Sequence, residues 1–197
     1  RAGTPELQWL SDTIDAGRAA GIPWIVVANH LDYMSSGSKL DEVGSAYVDL
    51  LVDKRVDLVL QSHEHAYQRS AQLRHSAGCP TVTTGAVDVD CIADDGSDGH
   101  YQAGEGPVLV INGTGGAPLY PINPSDPEAG YFAVARGIES GMPFGWSRIT
   151  ASDTTLSVSF QSTGAAFADS FAITKGDPPP PDQSPPTAPA GVSAHAV

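Results

Sequence analysis

Positive charge is the scarcest commodity in this chain. Lys and Arg number 10 against 23 Asp and Glu, a formal net charge of −13 over 197 residues. Such a balance argues against a nucleic-acid backbone or an anionic membrane surface as partner. Long apolar runs are also missing. The longest, Ile22 to Ala28, is far too short to cross a bilayer. No charged-then-apolar segment opens the chain, so no signal peptide is read within it. What is present is 41% hydrophobic residues, enough for one core in one domain or a domain with an appendage. An acidic chain that handles anionic substrates needs local positive charge, and a bound metal is the obvious source.

Cysteine is nearly absent as well. Cys79 and Cys91 are the only two, enclosing the short loop Pro80 to Asp90. In an acidic chain with a proline linker this reads as a disulfide and an exported location; two free thiols are the alternative. The loop also holds Asp88 and Asp90, followed by Asp94, Asp95 and Asp98. Their spacing does not match an EF-hand, so a solvated acidic loop is expected.

Organisation changes along the chain. Thr4 and Pro5 suit a helix N-cap and first turn, Leu7, Leu10 and Ile14 fall on one face, and Gly21 ends the helix. Trp24 to Ala28 and Val56 to Gln61 read as buried strands. Between them Leu40, Val43, Tyr47, Leu50 and Leu51 give an amphipathic helix with Ser38 as its expected cap. Strand, helix and strand make a βαβ unit with parallel strands. Further strands are expected at Val108–Ile111, Ser147–Thr150, Leu156–Gln161 and Phe171–Thr174. From Pro178 to Pro189 seven of twelve residues are proline, an extended spacer. The alternating stretch Ala190 to Val197 then resembles the entry to a fibronectin type III module.

The chemistry-bearing residues sit at strand ends. His30 follows the first parallel strand, and His63 and His65 follow the second, on the rim where open α/β sheets bind ligands. His63 and His65, two apart, point the same way on extended backbone. Imidazole is a common ligand for zinc and other first-row metals.

These residues carry a resemblance. Ser62-His63-Glu64-His65-Ala66-Tyr67-Gln68-Arg69 resembles the Gly-His-x-His-x-Tyr-Glu-Arg motif of the purple acid phosphatase branch of the calcineurin-like metallophosphoesterases. Val27-Ala28-Asn29-His30 resembles that family's Val-x-x-His motif, and Asn112-Gly113-Thr114-Gly115-Gly116 its late Gly-rich turn. The resemblance implies an α/β fold, the C-terminal half of a β-sandwich flanked by helices. It implies a catalytic part at 1–176, a Pro-rich linker at 177–189 and a truncated fibronectin-like start at 190–197. It implies a dinuclear site of divalent or mixed-valence ions (Fe, Zn or Mn), His30 and His63 on one metal and His65 on the other. Tyr67 and Arg69 would stand behind the ligands and hold the His loop. The substrate would be a phosphate mono- or diester, hydrolysed by a secreted or cell-surface protein of bacterial type.

Departures from the motif set are informative. The family's Asp, Gly-Asp-x-x-Tyr and Gly-Asn-His ligands belong before the Val-x-x-His strand, and Arg1 to Trp24 contains none of them. The partner expected for this chain is therefore the missing N-terminal half of the same domain, and no catalytic residue is assigned within it. The chain alone is expected to be inactive. Asp32 and Asp98-Gly99-His100 are set aside as ligands. The rival to an enzyme is an exported metal-binding or adhesion module without catalysis, which carboxylates upstream would rule out.

Overall fold

A computed structural model describes residues 4–39, 42–164 and 167–176. The expected linker at 177–189, the expected fibronectin-like start at 190–197 and Leu40 lie outside the described residues.

Helix α1 spans Pro5–Ala19. The Thr4 hydroxyl accepts from the Leu7 amide, Pro5 occupies the first turn, and Gly21 follows at φ 73°, a left-handed conformation that suits glycine. Strand β1 spans Val26–Ala28, helix α2 Ser45–Asp53 and strand β2 Leu58–Gln61. β1 and β2 pair in parallel, as a right-handed crossover through a helix requires. Helix α2 starts later than the apolar pattern suggests. Gly44 precedes it without a side-chain cap, and Ser38, the expected cap, instead donates to Glu64. That side chain belongs to the loop below the histidines.

The chain then builds two sheets. Strands β3 (Tyr67–Leu73), β4 (Ile92–Asp94), β6 (Val108–Asn112) and β7 (Phe132–Arg136) join β1 and β2 in the order β1-β2-β6-β3-β4, with β7 also on β3. The second sheet has the order β5-β10-β9-β8, from His100–Gln102, Ser170–Thr174, Thr155–Ser162 and Gly145–Ala151. Alternation along the strands sorts side chains into two cores. Leu58, Val108 and Val110 face Leu156, Val158, Phe160, Phe171 and Ile173 across the sheets. Val59 and Leu109 point the other way, toward Val48, Leu51 and Val52 of α2 and Ile14 of α1. Each such side chain contributes roughly 1.5–3 kcal/mol on burial. The result is a β-sandwich with both helices on the outer face of the first sheet. Among the described residues no helix is long and apolar enough to cross a membrane.

Cys79 and Cys91 are bonded to each other, with Cα atoms 5.1 Å apart, and both sulfurs are buried in the core beneath the helices. The bridge closes a loop of sequence separation 12. Replacing both cysteines by Ala is expected to cost roughly 2–3 kcal/mol, a fall on the order of 5–10 °C in thermal midpoint. Thermal melts of the two proteins, and of the parent protein with and without reductant, check this. The acidic loop beyond has a structural use: the Asp88, Asp94, Asp95 and Asp98 carboxylates each accept the amide two residues on. Asp98-Gly99-His100 is therefore a turn, leading into β5 at the far edge of the second sheet from β8.

Candidate metal centre

The three histidines lie on loops leaving the C-terminal ends of β1 and β2, where the parallel ladder stops and backbone amides turn to other partners. Ser62 N–H still donates to the His30 carbonyl, which holds the two loops side by side. His30 Nε2 and His63 Nδ1 stand 2.9 Å apart, with the rings edge to face at a centroid distance of 4.8 Å. Two nitrogens at that separation, each about 2.0–2.1 Å from a common ion, subtend roughly 90° at the metal. That is the angle between neighbouring ligands of an octahedral centre.

The opposite nitrogen of each ring is already engaged. His63 Nε2 lies 3.3 Å from Glu42 Oε2, His30 Nδ1 lies 3.2 Å from Ser62 Oγ, and His65 Nδ1 lies 2.8 Å from the Pro118 carbonyl. A carbonyl only accepts, so His65 carries its proton on Nδ1 and leaves Nε2 with a free lone pair. His63 Nε2 lies within ion-pair distance of Glu42, and its Nδ1 faces His30 Nε2. Metal-binding imidazoles are oriented by such contacts. Ser62, standing where the motif has Gly, supplies the contact for His30.

His65 does not join the other two. Its ring stacks on Tyr120 at 4.3 Å between centroids, and the Tyr120 amide donates to the His65 carbonyl. The structure thus brings His30 and His63 together and sets His65 apart. Among the described residues, the group of three Cys, His, Asp or Glu side chains whose ligand atoms converge is Cys79, Asp88 and Cys91, and the disulfide occupies two of those.

Tyr67 and Arg69 lead away from the rim along β3. Arg69 is buried, with Nε 2.8 Å and Nη2 3.2 Å from the two Asp169 oxygens, while Nη1 donates to the Gly96 carbonyl and Tyr101 hydroxyl. Tyr67 donates to Asp169 Oδ2 at 2.7 Å. Burial and then the Asp169 charge push the Tyr67 phenol well up, so it remains a donor. Burial alone would lower the Arg69 guanidinium, but the Asp169 and Tyr101 contacts more than offset it. Both residues therefore bond the first sheet to the second behind the His loop. Gln68, where the motif has Glu, donates to Ser35 Oγ and accepts from Ser36 N–H and Oγ.

Sequence reasoning missed Glu64, Glu42, Tyr120 and Asp169, and set Asp32 aside. Asp32 and Glu64 are completely buried beneath the histidines. A carboxylate inside the His-x-His repeat was the available signal for Glu64; nothing local marks Asp169, which reaches β3 only through the sandwich. Gly113, in the Gly-rich turn, has a clear reason: a Cβ there would stand 2.1 Å from the Glu64 carbonyl oxygen and 2.8 Å from that of Ser62. The turn packs flush beneath the His loop because it has no side chain.

Burial pushes the Asp32 carboxyl up to about 6, against the pull of the Glu64 and His63 amides, and the Glu64 and Glu42 charges push the same way. A carboxyl whose folded value exceeds its unfolded value favours the fold below the unfolded value, near 4, and loses that contribution as pH rises through about 6. The metal-free chain is expected to lose up to about 3 kcal/mol between pH 4 and 7 from this group. Asp32→Asn should remove that slope. Urea denaturation of both proteins across that range checks it.

Comparisons relate the fold and part of the chain to known proteins. Residues 106–170 match a family model described as iron/zinc purple acid phosphatase-like protein C. The fold is similar to that of a purple acid phosphatase from yellow lupin (Lupinus luteus) seeds, with TM-score 0.66 and 18% identity over 89% of this chain and 29% of that one. An uncharacterized protein of Mycobacterium tuberculosis, found in two strains, is 32% identical over 120 residues, 58% of this chain. The chain spans about a fifth of the length of those relatives, 21% of each. His30, His63 and His65 all lie upstream of the segment that the family model matches.

Proposed function

We propose that these residues carry the histidine half of a metal centre in a phosphoric ester hydrolase. The observation that supports this best is the pattern of ring contacts: each imidazole has one nitrogen engaged by Ser62, Glu42 or Pro118 and the other unengaged or facing a second imidazole. Purple acid phosphatase-like similarity in the fold and in residues 106–170 supports a metallophosphoesterase relationship.

His30 Nε2 and His63 Nδ1 would hold one ion, and His65 Nε2 the other, with iron, zinc or manganese as the ions that suit imidazole with oxygen ligands. Bound metals supply charge stabilisation for the phosphoryl oxygens and a water made acidic enough to attack. This chain's own contribution is to orient three imidazoles, to keep the His65 proton on Nδ1 and its ring against Tyr120, and to keep Asp32 and Glu64 out of solvent. One oxygen of each acidic side chain around the histidines is already engaged: Asp32 by the Glu64 amide, Glu64 by the amides of residues 38 and 39, and Glu42 at ion-pair distance from His63. The bridging carboxylate that a dinuclear centre uses would come from outside the chain, and the 197 residues alone would not turn over. The disulfide supports an exported setting.

The test is a hydrolysis assay with a phosphate monoester and a diester, on these 197 residues and on a longer protein that includes the expected upstream ligands, with zinc, manganese or iron added. The proposal predicts metal-dependent turnover only in the longer protein. Turnover by the 197 residues alone would overturn the assignment of the carboxylates; failure of both would favour a metal-binding module without catalysis.

A further inference from the structure

Two buried acidic side chains tie the ligand loops to each other. Asp32 lies two residues beyond His30, and its Oδ2 accepts the Glu64 amide at 2.6 Å in the other loop, with the His63 amide also facing it. Glu64 lies between His63 and His65, and its Oε2 accepts the amides of Ser38 and Lys39, both at 2.8 Å, back in the first loop. Each loop therefore presents backbone N–H groups to a carboxylate that the other loop carries.

Neither carboxylate is placed for its own comfort. Both residues are fully buried, and Asp32 Oδ1 and Glu64 Oε1 have no hydrogen-bond partner among the described residues. Burying an acid with one oxygen unpaired is costly, and such groups call for a specific explanation. The surroundings are shaped around Glu64. A Cβ on Gly37 would lie 2.3 Å from Glu64 Cδ, so the first loop passes over the carboxyl with no room for a side chain. Further along that loop, Ser35 and Ser36 are fixed by Gln68 and Glu128. The parts that remain for Asp32 and Glu64 to fix are the His63–Glu64 turn and residues 38–39.

We propose that Asp32 and Glu64 are reciprocal positioning residues, a crossed pair of carboxylate clamps that hold the His30 loop against the His63–His65 loop and so set the 2.9 Å spacing between the facing imidazole nitrogens. The inference rests on the metal-centre reading for its purpose, and on hydrogen bonds alone for its existence. Its distinguishing consequence is crossed: removing one side chain loosens the opposite loop, the one in which the other residue sits. A side chain that merely stabilised the fold would loosen the whole sandwich.

Amide hydrogen exchange on the 197-residue chain reads this directly, alongside zinc titration by calorimetry. Glu64→Ala should raise exchange at Ser38 and Lys39 at least tenfold, and Asp32→Ala should do so at His63 and Glu64, with β6 and β9 amides unchanged. Zinc affinity should fall roughly 10–100-fold in either variant. Asp32→Asn and Glu64→Gln, which keep an acceptor oxygen, should recover most of both and serve if the Ala variants do not fold. Exchange that rises uniformly, or not at all in the opposite loop, would overturn the clamp. Loosened loops with undiminished zinc affinity would overturn its positioning role. A parent chain that takes up no zinc would sink the metal-centre reading instead, and exchange alone would then decide the clamp.

Discussion

Arg69→Ala is expected to destabilise the chain by roughly 3–5 kcal/mol, the cost of stranding one member of a buried ion pair. An exposed pair would contribute about 1 kcal/mol or less, so burial decides the size. Arg69 and Asp169 are 5% and 10% exposed in their side chains. The guanidinium reaches both carboxylate oxygens and also donates to the Gly96 carbonyl and the Tyr101 hydroxyl. Removing it leaves Asp169 with Tyr67 as its remaining side-chain donor among the described residues. Lys cannot substitute, because one ammonium cannot make the forked contact. Replacing both partners with apolar residues of similar volume should restore much of the stability, since the desolvation penalty of both charges is then removed. Equilibrium urea unfolding of the single and double variants checks this. A loss below about 1 kcal/mol would show that the pair behaves as a surface pair.

The second large effect is on activity. In a longer protein that hydrolyses phosphate esters, His65→Ala and His63→Ala should each reduce kcat by more than about 100-fold, beyond the 10–100-fold typical of groups that only orient a ligand. Ser62→Ala, which removes the contact to His30 Nδ1, should fall within that lower range. Circular dichroism should show the fold intact in all three, because the histidines and Ser62 lie on loops outside both cores. Steady-state kinetics separates the two classes. Equal effects from Ser62→Ala and His63→Ala would remove the ground for calling His63 a ligand.

The parts of this molecule legible in its sequence are those whose periodicity meets a single environment. Helix α1 announces itself by Thr4, Pro5 and one apolar face, and the parallel pair β1 and β2 by two apolar runs around a helix. Strands β8, β9 and β10 fall within a residue or two of their expected positions, with alternation clear in β9, whereas the three-residue β5 carries no such signal. β3 shows why other elements stayed hidden. Its sequence, Tyr-Gln-Arg-Ser-Ala-Gln-Leu, looks polar, yet every residue in it is buried. Gln68, Arg69 and Gln72 are satisfied by distant partners, Ser36, Asp169 and Gly106, which no local pattern reveals. β7 pairs with the same strand and remained equally obscure. At the site, the His spacing was readable because strand ends are positions in a sequence. The division between His30–His63 and His65 depends on Tyr120 and Pro118, more than fifty residues away in the chain.

The most direct test of the metal centre is a zinc titration of the 197-residue chain, with each imidazole nitrogen followed by nitrogen-15 NMR. The account predicts that His30 Nε2 and His63 Nδ1 shift together as the first equivalent binds, while His65 Nδ1 keeps its proton and its bond to Pro118. Zinc uptake that leaves the His30 and His63 nitrogens unmoved, or that persists with the same affinity in His63→Ala, would contradict it.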